Sequence, residues 1–345
     1  MIISLDGMGG DFAPTIILEG AHIAWTRHPD VQYIIFGDKA KLTMAIADYP
    51  GLADVTEIRH TTDIVLNDDK AGQALRRRRD SSMWHSIQAV KTGEAQGVVS
   101  GGNTGALMAM ALFILRPLDG VDRPAIAGVL PTLQGESVML DLGANVECTA
   151  EHLVQFAVMG IVFARIAMGL VRPKVGLLNI GEEDLKGTEA LKEAADMLRQ
   201  AELPMDFRGF IEGNNIPLGK VDVVVTDGFT GNVALKTVEG AAKFITQLLH
   251  RAFNSSWLSK LAYFLARSAL RKMRKQIDPS VHNGGIFMGL NGICVKSHGS
   301  SDAIGFAHAI DFAIDLARED MGRLIREEMA HIHATASDDA IPLTN

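Results

Sequence analysis

The sequence predicts an α/β protein, a three-layer α/β/α sandwich in which helices cover both faces of a largely parallel β-sheet. Short apolar, β-branched runs that end in Gly, Asp or Asn alternate with longer stretches of helical periodicity. The chain has 345 residues, of which 47% are hydrophobic, so it can bury a full catalytic core. Its two cysteines provide no disulfide framework.

Segments with the hydrophobic periodicity of strands alternate along the chain with segments that have the periodicity of helices. Strand patterns occur in IISLD, YIIFG, GVVS, AIAGVLP, SVMLDLG, VGLLNIG, VDVVVTDG and GICVKSHG. Helical patterns occupy 15–27, a stretch from Lys39 onward, 104–115, 150–168, 188–200, 233–250 and about 302–332. We expect one catalytic domain over 1–332, which includes a basic amphipathic helical segment at 251–277, and a flexible tail at 333–345.

Composition and charge exclude several classes of protein. The net charge of −8 argues against general nucleic-acid binding, which requires clustered cations facing phosphates. The opening segment MIISLDGMGGDFAP has an acidic residue where an export signal would be apolar, and no apolar run reaches the roughly 20 residues of a membrane span. No Cys/His spacing typical of a zinc site is present. We expect a cytoplasmic protein without a metal or other cofactor.

Six strand-end segments combine Gly with Asn, Asp, Ser or Thr, and we expect them at one edge of the sheet, where open α/β sheets bind ligands. They are 6–11, 100–105, 141–145, 179–184, 227–232 and 297–302. Glycine lets backbone N–H groups approach an anion, and a following helix N-terminus adds positive potential, so such loops cradle phosphate. Any single loop is better explained as a tight turn with an N-cap, but the occurrence of six such loops in one chain favours anion binding.

Nucleophiles are poorly supported by the sequence. No G-x-S-x-G, Walker A or G-x-G-x-x-G motif occurs, and we expect Cys148 to be a buried, inert thiol. Lys186 lies beside a glycine-rich turn, where a fixed cation binds phosphate or stabilises negative charge. His298 either donates to an oxyanion or ties down its own loop.

Two basic segments stand out on the acidic chain. Arg76, Arg77, Arg78 and Arg79 form either a solvated charge run or a contact for an acidic partner or a phosphate-bearing group. A second segment has apolar residues at helical spacing with cations after them, typical of an interfacial helix or a helix that meets an acidic protein. Its residues are Trp257, Leu258, Leu261, Leu265, Arg271, Lys272, Arg274 and Lys275.

With these residues in order, the chain resembles the PlsX family of phosphate acyltransferases, which make acyl-phosphate from acyl-acyl carrier protein and inorganic phosphate for phospholipid synthesis. The resemblance rests on LDGMGGD, SGGNTGALM, DLGAN, NIGEEDLKGTE, DGFTGNVALK and GLNGICVKSHGSSD, from Ile2 to about Asp320. It implies a fold similar to the phosphotransacetylase and isopropylmalate dehydrogenase group. It also implies a homodimer at the inner face of the cell membrane, with acyl carrier protein, phosphate and a membrane glycerol-phosphate acyltransferase as candidate partners.

The chemistry implied by the resemblance agrees with the loops, because phosphate is itself a nucleophile and needs mainly binding, alignment and oxyanion stabilisation. We expect direct attack on the thioester without an acyl-enzyme. The expected catalytic residues are Lys186, Asn232, Asn145 and His298. The expected substrate-binding residues are Asp6, Gly9, Gly10, Asp11, Asn103, Thr104, Gly105, Asn179, Gly181, Asp227 and Gly228.

Two other functions remain open at this point. An isopropylmalate-type NAD-dependent dehydrogenase would need a nicotinamide site and a divalent metal, for which Asp141, Asp184 and Asp227 are available. A non-catalytic lipid-surface adaptor is supported only by the amphipathic segment, and it leaves the six polar loops without a purpose.

Overall fold

The computed structural model describes residues 1–277 and 285–338, with side chains in 1–270 and 285–330. Within these residues one 11-stranded sheet forms in the order β3-β2-β1-β4-β11-β10-β5-β6-β9-β7-β8. The strands are β1 (Ile2–Asp6), β2 (Gln32–Gly37), β3 (Thr56–His60), β4 (Gly97–Ser100), β5 (Ala125–Thr132), β6 (Gly135–Leu140), β7 (Lys174–Leu178), β8 (Asp206–Ile211), β9 (Val223–Val225), β10 (Gly285–Met288) and β11 (Ile293–Lys296). The predicted α/β fold is confirmed.

The sheet has two parallel halves that run in opposite directions. β3, β2, β1, β4 and β11 are parallel, and so are β6, β9, β7 and β8. Between them, β10 pairs antiparallel with β11 and β5, and β5 pairs antiparallel with β6. These reversals place the second half opposite to the first, which no periodicity in the sequence reveals.

Helices pack on both faces of this sheet. They are α1 (Thr15–Arg27), α2 (Lys39–Ile46), α3 (Pro50–Ala53), α4 (Ala71–Arg77), α5 (Ser82–Lys91), α6 (Thr104–Leu115), α7 (Ala150–Met168), α8 (Glu189–Gln200), α9 (Gly228–Asn254), α10 (Trp257–Ile277), α11 (Ala303–Arg318) and α12 (Met321–Asp338). The predicted helix over 302–332 is two helices, separated at Asp320, which has a left-handed φ of 48°. Helix α12 continues to Asp338, beyond the expected start of the tail, and 339–345 lie outside the described residues.

The core helix is α7, which carries a capping box at Thr149 and His152 and ends at the left-handed Gly169. By length and composition alone, it is the one helix in the described part of the chain that could cross a bilayer, and 67% of its apolar window is buried inside the protein. One hydrophobic cluster unites residues from both halves of the sheet, including Leu5, Phe156 and Val225. This core holds together the strands of both halves of the sheet, and with them the loops that follow these strands.

Candidate functional site

The loops after β1, β4 and β11 meet in a first loop group. The backbone N–H of Asp11 donates to the carbonyl of Gly299 at 2.9 Å. Gly10 has a φ of 112°, and a methyl group there would lie 3.2 Å from that same carbonyl oxygen. A methyl group on Gly9 would collide with the Asp6 carboxylate and approach the nitrogen of Gly102 to 2.8 Å. Glycine is required here because three loop backbones touch.

Asp6 lies under this group and is 1% exposed. Its carboxylate accepts hydrogen bonds from the hydroxyls of Ser82 at 2.6 Å and Ser100 at 2.7 Å. Burial raises the pKa of Asp6, and these hydrogen bonds oppose the shift. The structure therefore places Asp6 as an anchor for the loops rather than at their open surface.

Lys296 is the main residue of this group that the sequence analysis did not select. It is 8% exposed, and its Nζ donates to the carbonyl oxygens of Gly101, at 3.3 Å, and Ser297. Burial lowers the pKa of Lys296 to about 8, although Asp6 and Asp11 counteract the shift. The available signal was a lysine as the last residue of the otherwise apolar strand ICVK.

Asn103 connects the first loop group to the segment before α4. Its Nδ2 donates to the carbonyls of Leu66, Asn67 and Asp69 at 3.0–3.2 Å, and its Oδ1 caps the nitrogen of Ala106. The side chain of Asn103 thus holds the loop instead of facing a ligand. The exposed residues that follow, 104 and 105, occupy the first turn of α6, where backbone N–H groups lack helical partners.

The loops after β6 and β9 meet in a second loop group around Asp141. The buried Asp141 carboxylate accepts from the backbone nitrogens of Ile126, Gly143, Ala144 and Asn145 at 2.7–3.1 Å. The Nδ2 group of Asn145 donates to Asp141 at 2.9 Å and to the carbonyl of Pro124 at 2.8 Å. Both amide hydrogens of Asn145 are therefore used to hold this loop.

The start of α9 closes the second loop group. Asp227 caps α9 by accepting from the nitrogen of Thr230 at 2.8 Å, and the nitrogen of Gly228 donates to the carbonyl of Asn145 at 2.7 Å. Asn232 is exposed on the first turns of α9, beside Gly143. Of the predicted side chains in this group, Asn232 is the one turned to solvent.

The loop that follows β7 is more exposed. Asn179 closes it by donating through Nδ2 to the carbonyl of Lys186 at 3.1 Å, and the buried Gly181 packs near the Lys186 side chain. The Lys186 ammonium lies 2.9 Å from Glu183 and its side chain is 48% exposed. Its charge is thus partly balanced by a neighbour on the same loop.

The prediction that all six loops share one edge is wrong, because the antiparallel β5 and β10 reverse the second half of the sheet. Helix α9 begins in the second loop group and extends toward the first. Partial burial lowers the pKa of His298, and Lys296 and, from α9, Lys236 and Lys243 lower it further, while Glu239 opposes the shift. Nδ1 of His298 lies 2.9 Å from the hydroxyl of Ser300, so the ring does tie down its own loop.

The residues proposed for a metal do not fit one. Asp141 is already saturated by backbone donors, Asp184 pairs with Arg199, and Asp227 caps α9. Across 1–277 and 285–338, no group of three or more His, Cys, Asp or Glu side chains is placed to hold a metal ion.

The cysteine thiols are poor nucleophiles. Burial raises the pKa of Cys148 to about 11, as expected for an inert thiol. Cys294 is fully buried, and burial raises the pKa of its thiol as well.

The two basic segments occupy different places. Arg76, Arg77 and Arg79 are exposed near α6, whereas Arg78 forms ion pairs with the carboxylates of two neighbouring aspartates. The predicted 251–277 segment is divided at 255–256 between the end of α9 and α10.

Helices α9 and α10 form a projecting hairpin. Only Gly228 and Gly231 of α9 are buried. Exposed apolar side chains on α10 include Trp257, Leu258, Leu261 and Leu265, at 50–76% exposure. The side chains of Arg271, Lys272, Arg274 and Lys275 lie outside the described part of the structure.

The strand order and the helices on both faces define an α/β protein with the fold of the phosphotransacetylases. A phosphotransacetylase from Streptococcus pyogenes matches with a TM-score of 0.60 at 19% identity, covering 92% of this chain and 94% of that chain. EutD phosphotransacetylase from Staphylococcus aureus gives 0.56 at 15% identity over the same shares. A putative 4-hydroxythreonine-4-phosphate dehydrogenase from Salmonella typhimurium gives 0.53 at 15%, covering 92% and 99%. These similarities establish the fold.

The chain belongs to the family described as "Fatty acid synthesis protein", whose model matches residues 1–323. The phosphate acyltransferase of Rhodospirillum rubrum is 53% identical over 337 residues, 98% of this chain and 97% of that protein. That of Rhodospirillum centenum is 54% identical over 339 residues, 98% and 96%. The resemblance to the PlsX family is confirmed, and the chain is an acyltransferase.

Proposed function

We propose that this protein transfers a fatty acyl group from acyl-acyl carrier protein to inorganic phosphate and supplies acyl-phosphate for phospholipid synthesis. A phosphate oxygen attacks the thioester carbonyl, the new C–O bond forms, and the C–S bond breaks. The thiolate that leaves takes up the proton released by the attacking phosphate. The products are acyl-phosphate and the free carrier thiol.

The convergence of glycine-rich backbone over a buried cation carries this proposal. Three loops meet above the Lys296 ammonium, and the open first turn of α6 lies beside them. Backbone N–H groups and a fixed cation in a partly desolvated setting favour a bound anion and the oxyanion that develops during attack. No protein nucleophile is needed, in agreement with the raised pKa of Cys148.

We further propose that Lys186 and Asn232 act from the second half of the sheet. Both side chains are exposed, and Asn232 lies on the first turns of α9. At that site, the Lys186 ammonium would exchange Glu183 for the phosphate, and Asn232 would donate to the thioester oxygen. Because the two loop groups lie at opposite edges of the sheet, His298 and Lys296 would serve the reaction only at the first loop group, so the two placements are alternatives that the variants below distinguish.

Phosphorus NMR tests the reaction directly. The protein is mixed with acyl-acyl carrier protein and phosphate, and we expect an acyl-phosphate resonance together with release of one thiol per acyl-phosphate. Thiol release without phosphate, or a product that contains no phosphorus, would contradict the proposal. Nicotinamide reduction would instead support a dehydrogenase.

Two matched pairs of variants test the assigned side chains. Lys186→Ala and Asn232→Ala should lower phosphate-dependent thiol release by about 100-fold, the size typical of losing one oxyanion contact. Lys192→Ala removes a lysine with the same i,i+3 pairing to glutamate, at Glu189, and Asn254→Ala removes an asparagine at the far end of α9. Both controls should keep full activity, and full activity in the first two variants would remove the assignments.

We propose that the hairpin formed by α9 and α10 contacts the inner face of the cell membrane. Its apolar side chains point outward, Lys260 lies between them and Arg267 follows them, a pattern that favours anionic lipid surfaces. Leu261→Gln with Leu265→Gln should abolish sedimentation with phosphatidylglycerol vesicles. Leu133→Gln, which changes a leucine that is 82% exposed on another surface, should leave it intact.

We also propose that the protein is a homodimer and that a second copy of the chain can cover this surface. Light scattering of the wild-type protein and of the Leu261/Leu265 variant without vesicles measures its contribution. A dimer that persists in the variant while vesicle binding is lost would assign the two leucines to the membrane. Vesicle binding by a protein without any turnover would support a lipid-surface adaptor instead.

A further inference from the structure

A basic surface with exposed apolar side chains lies at the C-terminal ends of α4 and α6, the two helices whose N-terminal ends adjoin the first loop group. Three arginines at the end of α4 and just after it are exposed: Arg76, Arg77 and Arg79. Phe113, near the end of α6, is 53% exposed and lies beside Arg79, and the preceding Leu112 is 39% exposed. We call these five residues the arginine face.

The arginines of this face are held in place by local contacts. The Nε atoms of Arg76 and Arg79 donate to the carbonyl oxygens of Gly72 and Leu75, at 3.0 Å and 3.3 Å. The guanidinium carbon of Arg79 also lies 5.5 Å from the ring centroid of Trp84 and 5.7 Å from that of Phe113. Because each guanidinium has five N–H donors, these contacts orient the group and leave most donors for a partner.

Arg78, which lies between Arg77 and Arg79 in the sequence, forms ion pairs inside the protein. Its guanidinium donates to the carboxylates of Asp63 at 2.8 Å and Asp69 at 3.0 Å, so its charge is balanced internally. These ion pairs fix the turn before α5. The charges of Arg76, Arg77 and Arg79 remain on the surface.

The arginine face is connected to the first loop group by two helices that lie side by side. At one end, a methyl group on Gly105 would lie 3.6 Å from Cβ of Ala71. At the other end, Arg79 stacks over Phe113. With a rise of 1.5 Å per residue, Phe113 is about 14 Å along the helix axis from Thr104. The face is therefore set back from the loops by a distance that suits a substrate on a flexible arm.

We propose that the arginine face docks the acidic carrier protein whose flexible arm presents the acyl thioester to the first loop group. This inference rests on the proposed function, since it names where the donor of that reaction binds. Inorganic phosphate does not need a contact surface so far from the loops. An acidic protein complements the exposed arginines, and arginine beside an exposed aromatic ring is the composition favoured at binding hot spots.

The test compares two acyl donors in the Arg77→Glu/Arg79→Glu variant. With acyl-acyl carrier protein, we expect KM to rise about tenfold or more, because charge reversal removes electrostatic steering. With acyl-pantetheine, a small thioester without the protein, kcat and the KM for phosphate should stay at wild-type values. Added salt should raise the carrier KM of the wild type and have little effect on the variant.

Arg208→Glu is the matched control, because Arg208 is an exposed arginine on the edge strand β8, in the other half of the sheet. It should change neither donor's kinetics. An unchanged KM for acyl-acyl carrier protein in the double variant would overturn the docking proposal. So would an equal loss of activity with both donors, or a variant that loses only vesicle binding. If the wild-type protein acylates phosphate from neither donor, the proposed function itself fails, which is a different result.

Discussion

Replacing Lys296 by methionine tests whether a charged ammonium is held beneath the first loop group. Methionine keeps an unbranched apolar stem and removes the charge. Burial lowers the pKa of Lys296 from its ordinary 10.5 to about 8. At about 1.4 kcal/mol per pKa unit, the folded protein pays about 3 kcal/mol to keep this proton below pH 8.

The sign of the effect follows from proton binding. Between pH 8 and 10.5 the unfolded chain holds the lysine proton and the folded chain loses it, so Lys296 makes the free energy of unfolding rise with pH in this window. The variant lacks this contribution. We expect the wild-type minus variant difference to increase by about 3 kcal/mol from about pH 7.5 to 10.5.

Urea unfolding followed by circular dichroism, at several pH values across this window, measures the difference. Subtraction removes the cysteines and tyrosines that titrate in both proteins. Lys192→Met, at a partly exposed lysine on α8, should run parallel to the wild type. A wild-type minus Lys296→Met difference that is flat with pH would refute the buried charge.

Three other changes have defined outcomes. Gly231→Ala should lower the free energy of unfolding by about 1–3 kcal/mol, because the new methyl group overlaps a backbone carbonyl oxygen. Gly240→Ala, on the same helix, should raise it by about 0.5–1 kcal/mol, because its methyl group has no neighbour within 4 Å. Both are measured by urea denaturation, and equal effects would contradict the packing. Ser100→Ala should cost about 1–3 kcal/mol in the same assay, because it removes a hydrogen bond to the buried Asp6. Alkylation of Cys148 by iodoacetamide should be slow at neutral pH and accelerate up to about pH 11, and a plateau near pH 8.5 would contradict the raised pKa.

Local structure was largely predictable from the sequence. Helices α1, α6 and α7 begin and end at the predicted residues. Two of them start after side chains that cap their first turn, Asn103 and Thr149, and such signals are local. The alternation of short apolar runs with amphipathic stretches likewise indicated the layered fold, because it depends on neighbours along the chain.

Long-range features were not predictable in this way. Strand direction in β5 and β10 is decided by pairing between distant segments, so the local sequence patterns indicated a single edge for all six loops. Polar loop residues such as Asn103 and Asn145 also proved to hold backbone, since their hydrogen bonds go to segments 21 to 37 residues away. Lys296 became a candidate only when its burial was known.

The attachment of α9 through its first turns, at Gly228, Gly231, Ala234 and Leu235, gives the rest of the helix the properties of a lever. Its 27 residues span about 40 Å, and its N-terminal turn packs closely against the Asp141 loop. A load on the far end of the hairpin, from a lipid surface or a second copy of the chain, has a long arm and therefore exerts its torque on the turn that presents Asn232. At this end the backbone of α9 lies directly against the Asp141 loop, because Gly228 and Gly231 have no side chains to separate the two backbones.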